Sequence, residues 1–178
     1  DFLTRFAFDG EGVLWAASFE GTILRIAPDG TEVFDAASSI GPGHLNDLFV
    51  DVRDRVWVTA GTSVAVFEDG DWVQQGPPDL MGLAPRIGHV AANDAGEVLL
   101  AVGNVDAGGL LLLRDGVWEL FTEENSDLQS GVVREIEVAE DGNFWIAGGQ
   151  WQGRAGLLTL SDGALAVVAT DALLFPEA

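Results

Sequence analysis

The segment Asp9-Gly10-Glu11-Gly12-Val13-Leu14-Trp15 decides the fold, because it returns three more times in the 178 residues of the chain. Its counterparts are Asp51–Trp57, Asn93–Leu99 and Ala139–Trp145. The last residue of the segment advances by 42, 42 and 46 positions. Repeats of about 40–50 residues, each with several short strands, are typical of β-propellers. The sequence therefore predicts an all-β propeller of four repeats, each an antiparallel blade of three or four strands.

Each repeat begins with a strand in which apolar residues alternate with others, a pattern that predicts one buried row. These apolar pairs are Phe6 and Phe8, Leu48 and Val50, Val90 and Ala92, and Ile136 and Val138. A tight turn follows, and its equivalent positions hold residue types that tolerate a positive φ. They are Gly12, Asp54, Gly96 and Gly142. The second strand of each repeat is then expected to start at Trp15, Trp57, Leu99 and Trp145.

An Asp-Gly pair between two hydrophobic runs marks a hairpin later in every repeat. The pairs are Asp29-Gly30, Asp69-Gly70, Asp115-Gly116 and Asp162-Gly163. We expect one propeller domain, or a fragment of one, with blades close to residues 1–40, 41–82, 83–127 and 128–178.

The composition narrows the classes of partner. With 29 acidic residues against 8 arginines and no lysine, the formal net charge is −21, a field that repels nucleic acid and favours cations or basic partners. No cysteine is present, so disulfides and thiolate chemistry are excluded, in keeping with an extracytoplasmic location, periplasmic or secreted. No run approaches 18 apolar residues, so we expect no transmembrane segment.

Two known kinds of propeller repeat resemble parts of this sequence. The stretch Asn125–Ala147, with its Asn-Ser-Asp-Leu, Val-Arg-Glu-Ile and Asp-Gly-Asn-Phe-Trp-Ile-Ala segments, closely resembles the two-component-regulator propeller repeat, and Leu45–Phe67 looks like the same unit. The first repeat, through Gly21–Gly30, is similar to streptogramin-lyase-like and lactonase propellers. The third repeat departs most, with Leu99 where the others have tryptophan. These residues mark scaffold positions, so the resemblance implies a fold and leaves function open.

Polar residues cluster where the first strand of each repeat begins, at the end expected to line a channel mouth. Thr4 and Arg5 stand there in the first repeat. The candidates for binding a ligand or partner are His44, Asn46, Asp47, Arg86, His89, Arg134 and Glu135. The glycine-rich loop Gly148–Arg154 adds Gln150, Trp151 and Arg154 on the same face. Tryptophan and arginine are favoured anchors in protein interfaces.

Catalytic signatures are weak. His44 and His89 are the only histidines, and a streptogramin-lyase-like reading would use one of them as a general base beside a metal. Resemblance to lactonases would instead put Asn46 and Asp47 near a divalent ion. Neither family's ligand set is complete, and the sequence has no nucleophile elbow, His-Glu-x-x-His motif or phosphate loop. We therefore assign no catalytic residue, metal ligand or cofactor, with a divalent cation such as calcium as the alternative.

Three functions remain open. The favoured hypothesis is a non-catalytic interaction module that docks on a partner protein as an extracytoplasmic accessory subunit of a larger assembly, such as a membrane-associated complex. The second is a small-ligand-sensing domain of a signalling protein, as the regulator-propeller resemblance implies. The third is a metal-dependent lyase or lactonase.

Overall fold

The structure is a computed structural model that describes residues 2–75, 86–103, 108–128, 130–149 and 155–170. The first sheet comprises β1 (Leu3–Phe8), β2 (Leu14–Ser18), β3 (Thr22–Ala27) and β4 (Gly30–Asp35), and the helix α1 (Ala36–Ser39) follows. The second comprises β5 (Leu45–Val50), β6 (Val56–Ala60), β7 (Ser63–Glu68) and β8 (Asp71–Gln74). The third comprises β9 (Ile87–Ala92), β10 (Val98–Gly103), β11 (Gly108–Arg114) and β12 (Val117–Phe121). The fourth comprises β13 (Val133–Val138), β14 (Phe144–Gly149), β15 (Ala155–Ser161) and β16 (Ala164–Thr170).

Each sheet is a four-stranded antiparallel meander in which every strand pairs with the next one along the chain. The predicted all-β architecture of four propeller-type repeats is thereby confirmed, and each repeat has four strands rather than three. The second strands begin one residue before the expected position, at Leu14, Val56, Val98 and Phe144. Among the described residues no helix combines the length and the hydrophobicity needed to cross a membrane.

The turn between the first and second strands of each sheet follows the prediction. The φ angles are 80° at Gly12, 61° at Asp54, 87° at Gly96 and 82° at Gly142. A side chain with Cβ is strained in this left-handed region, and Asp is one of the few residues that enters it regularly. This is why the repeat alternates only between glycine and aspartate at this position.

The turn between the third and fourth strands follows the prediction in three sheets and not in the first. Asp69, Asp115 and Asp162 all have φ of 51–52°, and each is followed by a glycine with positive φ, as a two-residue type I′ hairpin requires. In the first sheet Ala27 pairs with Gly30, so the loop is Pro28-Asp29 and not Asp29-Gly30. Proline is fixed near φ −65° and cannot take the first position of a type I′ turn.

The structure forms two compact units, Asp1–Pro78 and Asp79–Ala178. In the first unit the first and second sheets pack face to face over a core in which Trp15 is the central side chain. Its ring lies 5.0 Å from that of Phe67 and 6.4 Å from that of Trp72, centroid to centroid. Phe34 completes this aromatic group, 6.2 Å from Trp15. Burial of these large rings supplies much of the packing energy between the two sheets.

The second unit contains the third and fourth sheets, which meet along β9 and β13. Its core is mainly aliphatic, whereas an aromatic group around Trp15 lies in the core of the first unit. The fully buried side chains include Leu99, Leu110 and Leu112 of the third sheet, and Phe144, Ile146 and Leu158 of the fourth. Leu99 therefore fills with an aliphatic group the place that tryptophan takes in the other repeats. In β11 the consecutive residues Leu110, Leu111 and Leu112 are all buried.

One predicted buried row is exposed. Phe6 and Phe8 are 73% and 60% exposed, although their counterparts Leu48, Val90 and Ile136 are buried. The row in the second sheet is buried because it packs against the first sheet. The corresponding row of the first sheet lies on the opposite face from that contact, so the prediction of a buried Phe6–Phe8 row was wrong.

Candidate functional site at the first strands

A β-bulge interrupts the first strand of every sheet at the same place. The cross-strand register shifts between Leu3 and Arg5, between Leu45 and Asp47, between Ile87 and His89, and between Val133 and Glu135. The extra residues are therefore Thr4, Asn46, Gly88 and Arg134. Bulges redirect side chains and are frequent beside functional sites, so these positions are candidate functional positions, two in each unit.

The bulge changes which face of the sheet a side chain occupies. Leu45 is opposite Ala60 and Asp47 is opposite Thr59, so two residues that a regular strand would keep on one face lie on opposite faces. Leu45 is buried in the core as a result. The residues placed by the four bulges are Arg5, Asp47, His89 and Glu135. Each is opposite a small residue, namely Ala17, Thr59, Ala101 and Ala147.

In the first unit the placed residues form an ion pair between two sheets. Arg5 Nε donates to Asp47 Oδ1 at 3.1 Å, and Arg5 Nη1 donates to the carbonyl of Thr4 at 3.0 Å. Asp47 is buried, whereas the guanidinium is partly exposed. A pair of this kind contributes about 1 kcal/mol, but removing Arg5 would cost more because it leaves a buried carboxylate without that partner.

In the second unit the same positions pair a histidine with an acid. His89 Nδ1 lies 3.8 Å from Glu135 Oε1, and the histidine is the more buried of the two. The contact is an ion pair only when His89 is protonated. Both units thus place a basic residue on one sheet beside an acidic residue on the next.

His44 lies just outside this pair in the first unit and stacks on Phe19. The ring centroids are 4.2 Å apart and the planes differ by 10°. Both side chains are exposed. The backbone fixes them, because Leu45 N donates to the Phe19 carbonyl at 3.1 Å and Gly61 N donates to the His44 carbonyl at 3.0 Å. The stacked pair is therefore a preformed aromatic surface at the β2–β3 loop.

The remaining described candidates lie at the loop ends of the same strands. Arg86 is exposed, and its carbonyl accepts from Gly103 N at 2.9 Å. Arg134 is exposed, and its Nε donates to the Gly149 carbonyl at 3.3 Å. Asn46 is half-buried at its bulge. The structure therefore brings together Arg5 with Asp47 and His89 with Glu135, and it leaves Arg86 and Arg134 at the surface.

Three of the predicted residues, Gln150, Trp151 and Arg154, lie outside the described residues. Within the residues that are described, no three histidine, aspartate or glutamate side chains come close enough together to hold a metal ion. Asp47, named with Asn46 for a divalent cation, is thus not part of a cluster of three such side chains in that part of the chain.

The second unit has a surface pocket that the sequence analysis did not predict. It has a volume of about 430 Å³ and is lined by Phe121, Asn125, Ser126, Asp127, Ala164 and Leu165. Asn125 shapes its loop, because Oδ1 accepts from Thr122 N at 2.7 Å and Nδ2 donates to the Leu120 carbonyl at 2.9 Å. The sequence signal for this pocket is the Asn-Ser-Asp-Leu segment, whose Asn125, Ser126 and Asp127 line it.

No family model and no curated protein match this chain, but solved structures do. It is similar to the extracellular domain of the hybrid two-component system BT3049 from B. thetaiotaomicron, with a TM-score of 0.63, 15% identity, and coverage of 94% of this chain and 22% of that one. Streptogramin B lyase gives a TM-score of 0.69 at 13% identity, covering 93% and 53%. PorZ is a bacterial surface component of the type-IX secretion system of Porphyromonas gingivalis. Its TM-score is 0.64 at 15% identity, and the match covers 93% of this chain and 27% of that one.

These similarities concern the fold. The chain spans between 22% and 53% of the length of the three solved proteins, and the identities are 13–15%. They confirm the resemblance that the repeats carry. The chain has the propeller fold found in extracellular domains of two-component systems and in streptogramin B lyase.

Proposed function

We propose that the chain is a non-catalytic interaction module, which docks on a partner protein as an extracytoplasmic accessory subunit of a larger assembly. The observation that carries this proposal is the exposed Phe19–His44 stack, in the same unit as the Arg5–Asp47 pair. A catalytic site needs groups that are free to exchange protons with a substrate, whereas Arg5 and Asp47 hold one sheet to the next. The stack is a rigid apolar surface with a polar border, which is how protein interfaces are built.

The stack suits a docking role because its geometry is set before any partner arrives. The two rings already stack on each other in the free chain, so ordering them on binding costs less side-chain entropy. Aromatic anchors commonly account for a large share of interface energy. The predicted residues Gln150, Trp151, Arg154, Arg86 and Arg134 stay further proposed contacts with the partner.

The net charge indicates the chemistry of the partner. At −21, the chain attracts a basic surface and repels an acidic one. Glu20 follows Phe19 in the same exposed loop. We therefore propose a partner whose contact surface combines an apolar or aromatic group with arginine or lysine.

The similarities support an extracytoplasmic site of action. PorZ is a surface component of a secretion system, and the two-component domain is extracellular. A cysteine-free, acidic chain is compatible with such a location.

The test is isolation of the tagged protein from cells that express it, followed by native mass measurement and identification of its subunits. We expect a different, basic polypeptide bound in stoichiometric amount, and a loss of at least tenfold in its recovery for the Phe19→Ser/His44→Ala variant. Val117→Ser is the matched control, since Val117 is an exposed apolar residue on β12. Undiminished recovery of the partner by the double variant would contradict the proposed surface, and a protein that never carries another polypeptide would contradict the function.

A ligand-sensing role is the second candidate, favoured by the pocket of about 430 Å³ beside Asn125. That volume lies within the range of small-molecule sites. Sensing predicts that a small ligand raises the thermal stability of the wild type and that Asn125→Leu abolishes this shift. The lyase or lactonase alternative rests on similarity of fold alone.

A further inference from the structure

The first sheet has an open apolar face. Two cross-strand rows build it, Phe6–Ala16–Leu24–Val33 and Phe8–Leu14–Ile26–Thr31. Neither row carries a charge. Phe6, Phe8, Ile26 and Val33 are all exposed, and Val33 is 67% exposed. We call these two rows the open face. Contiguous apolar patches of this kind mark interaction sites.

The second sheet shows what this face is built to receive. Its equivalent rows are Leu48–Val58–Ala65–Gln74 and Val50–Val56–Phe67–Trp72. They pack against the other face of the first sheet, where Trp15, Ala17 and Ile23 are buried. Ile26 has the position of Phe67, whose ring lies 5.0 Å from that of Trp15. The open face therefore fits a sheet face that presents tryptophan, with small and branched residues beside it.

The chain itself carries such a face in the fourth sheet. Trp145, Ala147 and Leu157 have the positions of Trp15, Ala17 and Ile23 in their sheet. Trp145 is 37% exposed and Leu157 is half-buried, whereas Trp15 and Ile23 are covered by the next sheet. We call these three residues the Trp145 face. In the first unit the rows equivalent to the open face pack against the face with Trp15, Ala17 and Ile23. The Trp145 face, which has the same positions, is therefore the complement of the open face.

The local charges at the bulges support the same match, although each copy carries a net charge of −21. Where one sheet packs on the next within a unit, a basic residue is followed by an acid, as Arg5 by Asp47 and His89 by Glu135. Glu135, on the fourth sheet, is the last of these four residues along the chain, and it is largely exposed. A first sheet packed on the fourth would bring a partly exposed Arg5 beside that carboxylate. The signs are therefore complementary at the site of the match.

We propose that the open face of the first sheet docks on the Trp145 face of a second copy of this chain. The contact is heterologous, because different surfaces of the two copies meet. It goes beyond the proposed function, since it uses neither Phe19 nor His44. A failure of one proposal leaves the other intact.

The first test is the mass of the purified protein over a range of concentrations, by light scattering or sedimentation. We expect species at twice 18.8 kDa or above. Phe6→Ser should raise the dissociation constant at least tenfold, the effect of losing one buried aromatic side chain. Val117→Ser should leave it unchanged, because Val117 is comparably exposed but lies on β12. Phe6 is exposed in the single chain, so the variant should keep the wild-type unfolding curve.

The second test identifies the two faces by cross-linking. Because the natural chain has no cysteine, an introduced cysteine is the only thiol in each protein. Thr31→Cys, opposite Ile26 on the open face, and Thr159→Cys, opposite Trp145, are prepared as separate proteins, mixed and treated with a short bis-maleimide. We expect covalent dimers in the mixture and few in either protein alone, with Val117→Cys inert in all combinations. A monomer at every concentration, dimers insensitive to Phe6→Ser, or cross-links only between identical cysteines would overturn the proposal, and the first of these would leave the face to a sheet of another polypeptide.

Discussion

Trp57 and Trp145 occupy the same position in their sheets, yet one is 3% and the other 37% exposed. Trp57 Nε1 donates to Asp51 Oδ2 at 2.9 Å, and the Arg55 guanidinium lies over its ring, 5.2 Å from the centroid. The fourth repeat has Ala139 in place of Asp51, so the indole has no carboxylate at that position. The same repeat element is thus a scaffold residue in one sheet and a surface residue in another.

The second and fourth repeats differ in the side chain at the first position of the segment, Asp51 or Ala139, and not in the turn that follows it. Asp54 N donates to the Asp51 carbonyl and Gly142 N donates to the Ala139 carbonyl, both at 2.9 Å. Asp51 Oδ1 adds bonds from the backbone N–H groups of Arg53 and Arg55. A repeat can therefore lose its carboxylate, keep its turn and gain an exposed tryptophan.

The largest expected change in the free energy of unfolding comes from replacing the two tryptophans, and it tests this comparison directly. Trp57→Ala should lower the free energy of unfolding by about 4 kcal/mol, because it leaves a cavity in a packed face. Trp145→Ala should cost about 1 kcal/mol or less, since a third of that side chain is already in water. Urea denaturation of dilute protein measures both. Equal losses would show that Trp145 is as much a scaffold residue as Trp57.

A smaller effect is expected at the carboxylates. Asp51→Ala removes two backbone bonds, the indole bond and the Arg55 ion pair at 2.7 Å, and should cost about 3 kcal/mol. Asp141→Ala is the control, because this exposed carboxylate bonds only Asn143 among the contacts in its turn. Its loss should stay below about 1 kcal/mol by the same urea measurement. The comparison fails if the two variants unfold alike.

The smallest effect restores the missing acid. Ala139→Asp places a carboxylate where the turn already has the right backbone, and it should raise the free energy of unfolding by up to about 1 kcal/mol. Trp145 should also become less accessible to acrylamide quenching, with Ala139→Asn giving a partial effect. An unchanged stability and an unchanged quenching constant together would mean that the indole position is set by its neighbours and not by residue 139.

The sequence predicted most of the local structure because local rules determine it. Gly12, Asp54, Gly96 and Gly142 could be assigned a positive φ since few other residue types adopt it. The altered hairpin at Pro28 was open to the same reasoning, because the fixed φ of proline excludes a type I′ turn there. Turn chemistry was enough for both.

What the sequence could not predict depends on neighbours. An alternating row such as Phe6 and Phe8 predicts an apolar surface, but it does not predict what packs against that surface. The equivalence of Arg5, Asp47, His89 and Glu135 was foreseen, but their contacts in pairs require the packing of one sheet on the next. No residue signal marked the bulges, because Thr4, Asn46, Gly88 and Arg134 share no side-chain property.

Those bulges have a consequence for how such a chain can evolve. Side chains of a regular strand alternate between the two faces of the sheet, and a bulge shifts this alternation by one residue. Residues on the loop side of the bulge therefore lie on the opposite face from the one that a regular strand would give them. Leu45 stays in the core while Asp47, two residues later, faces the opposite way. Substitutions at the placed residue therefore change the chemistry at the strand's end without changing which residues fill the core. In the second sheet the core side chains Leu45 and Leu48 lie on both sides of the bulge, and the placed residue Asp47 can change its chemistry separately from them.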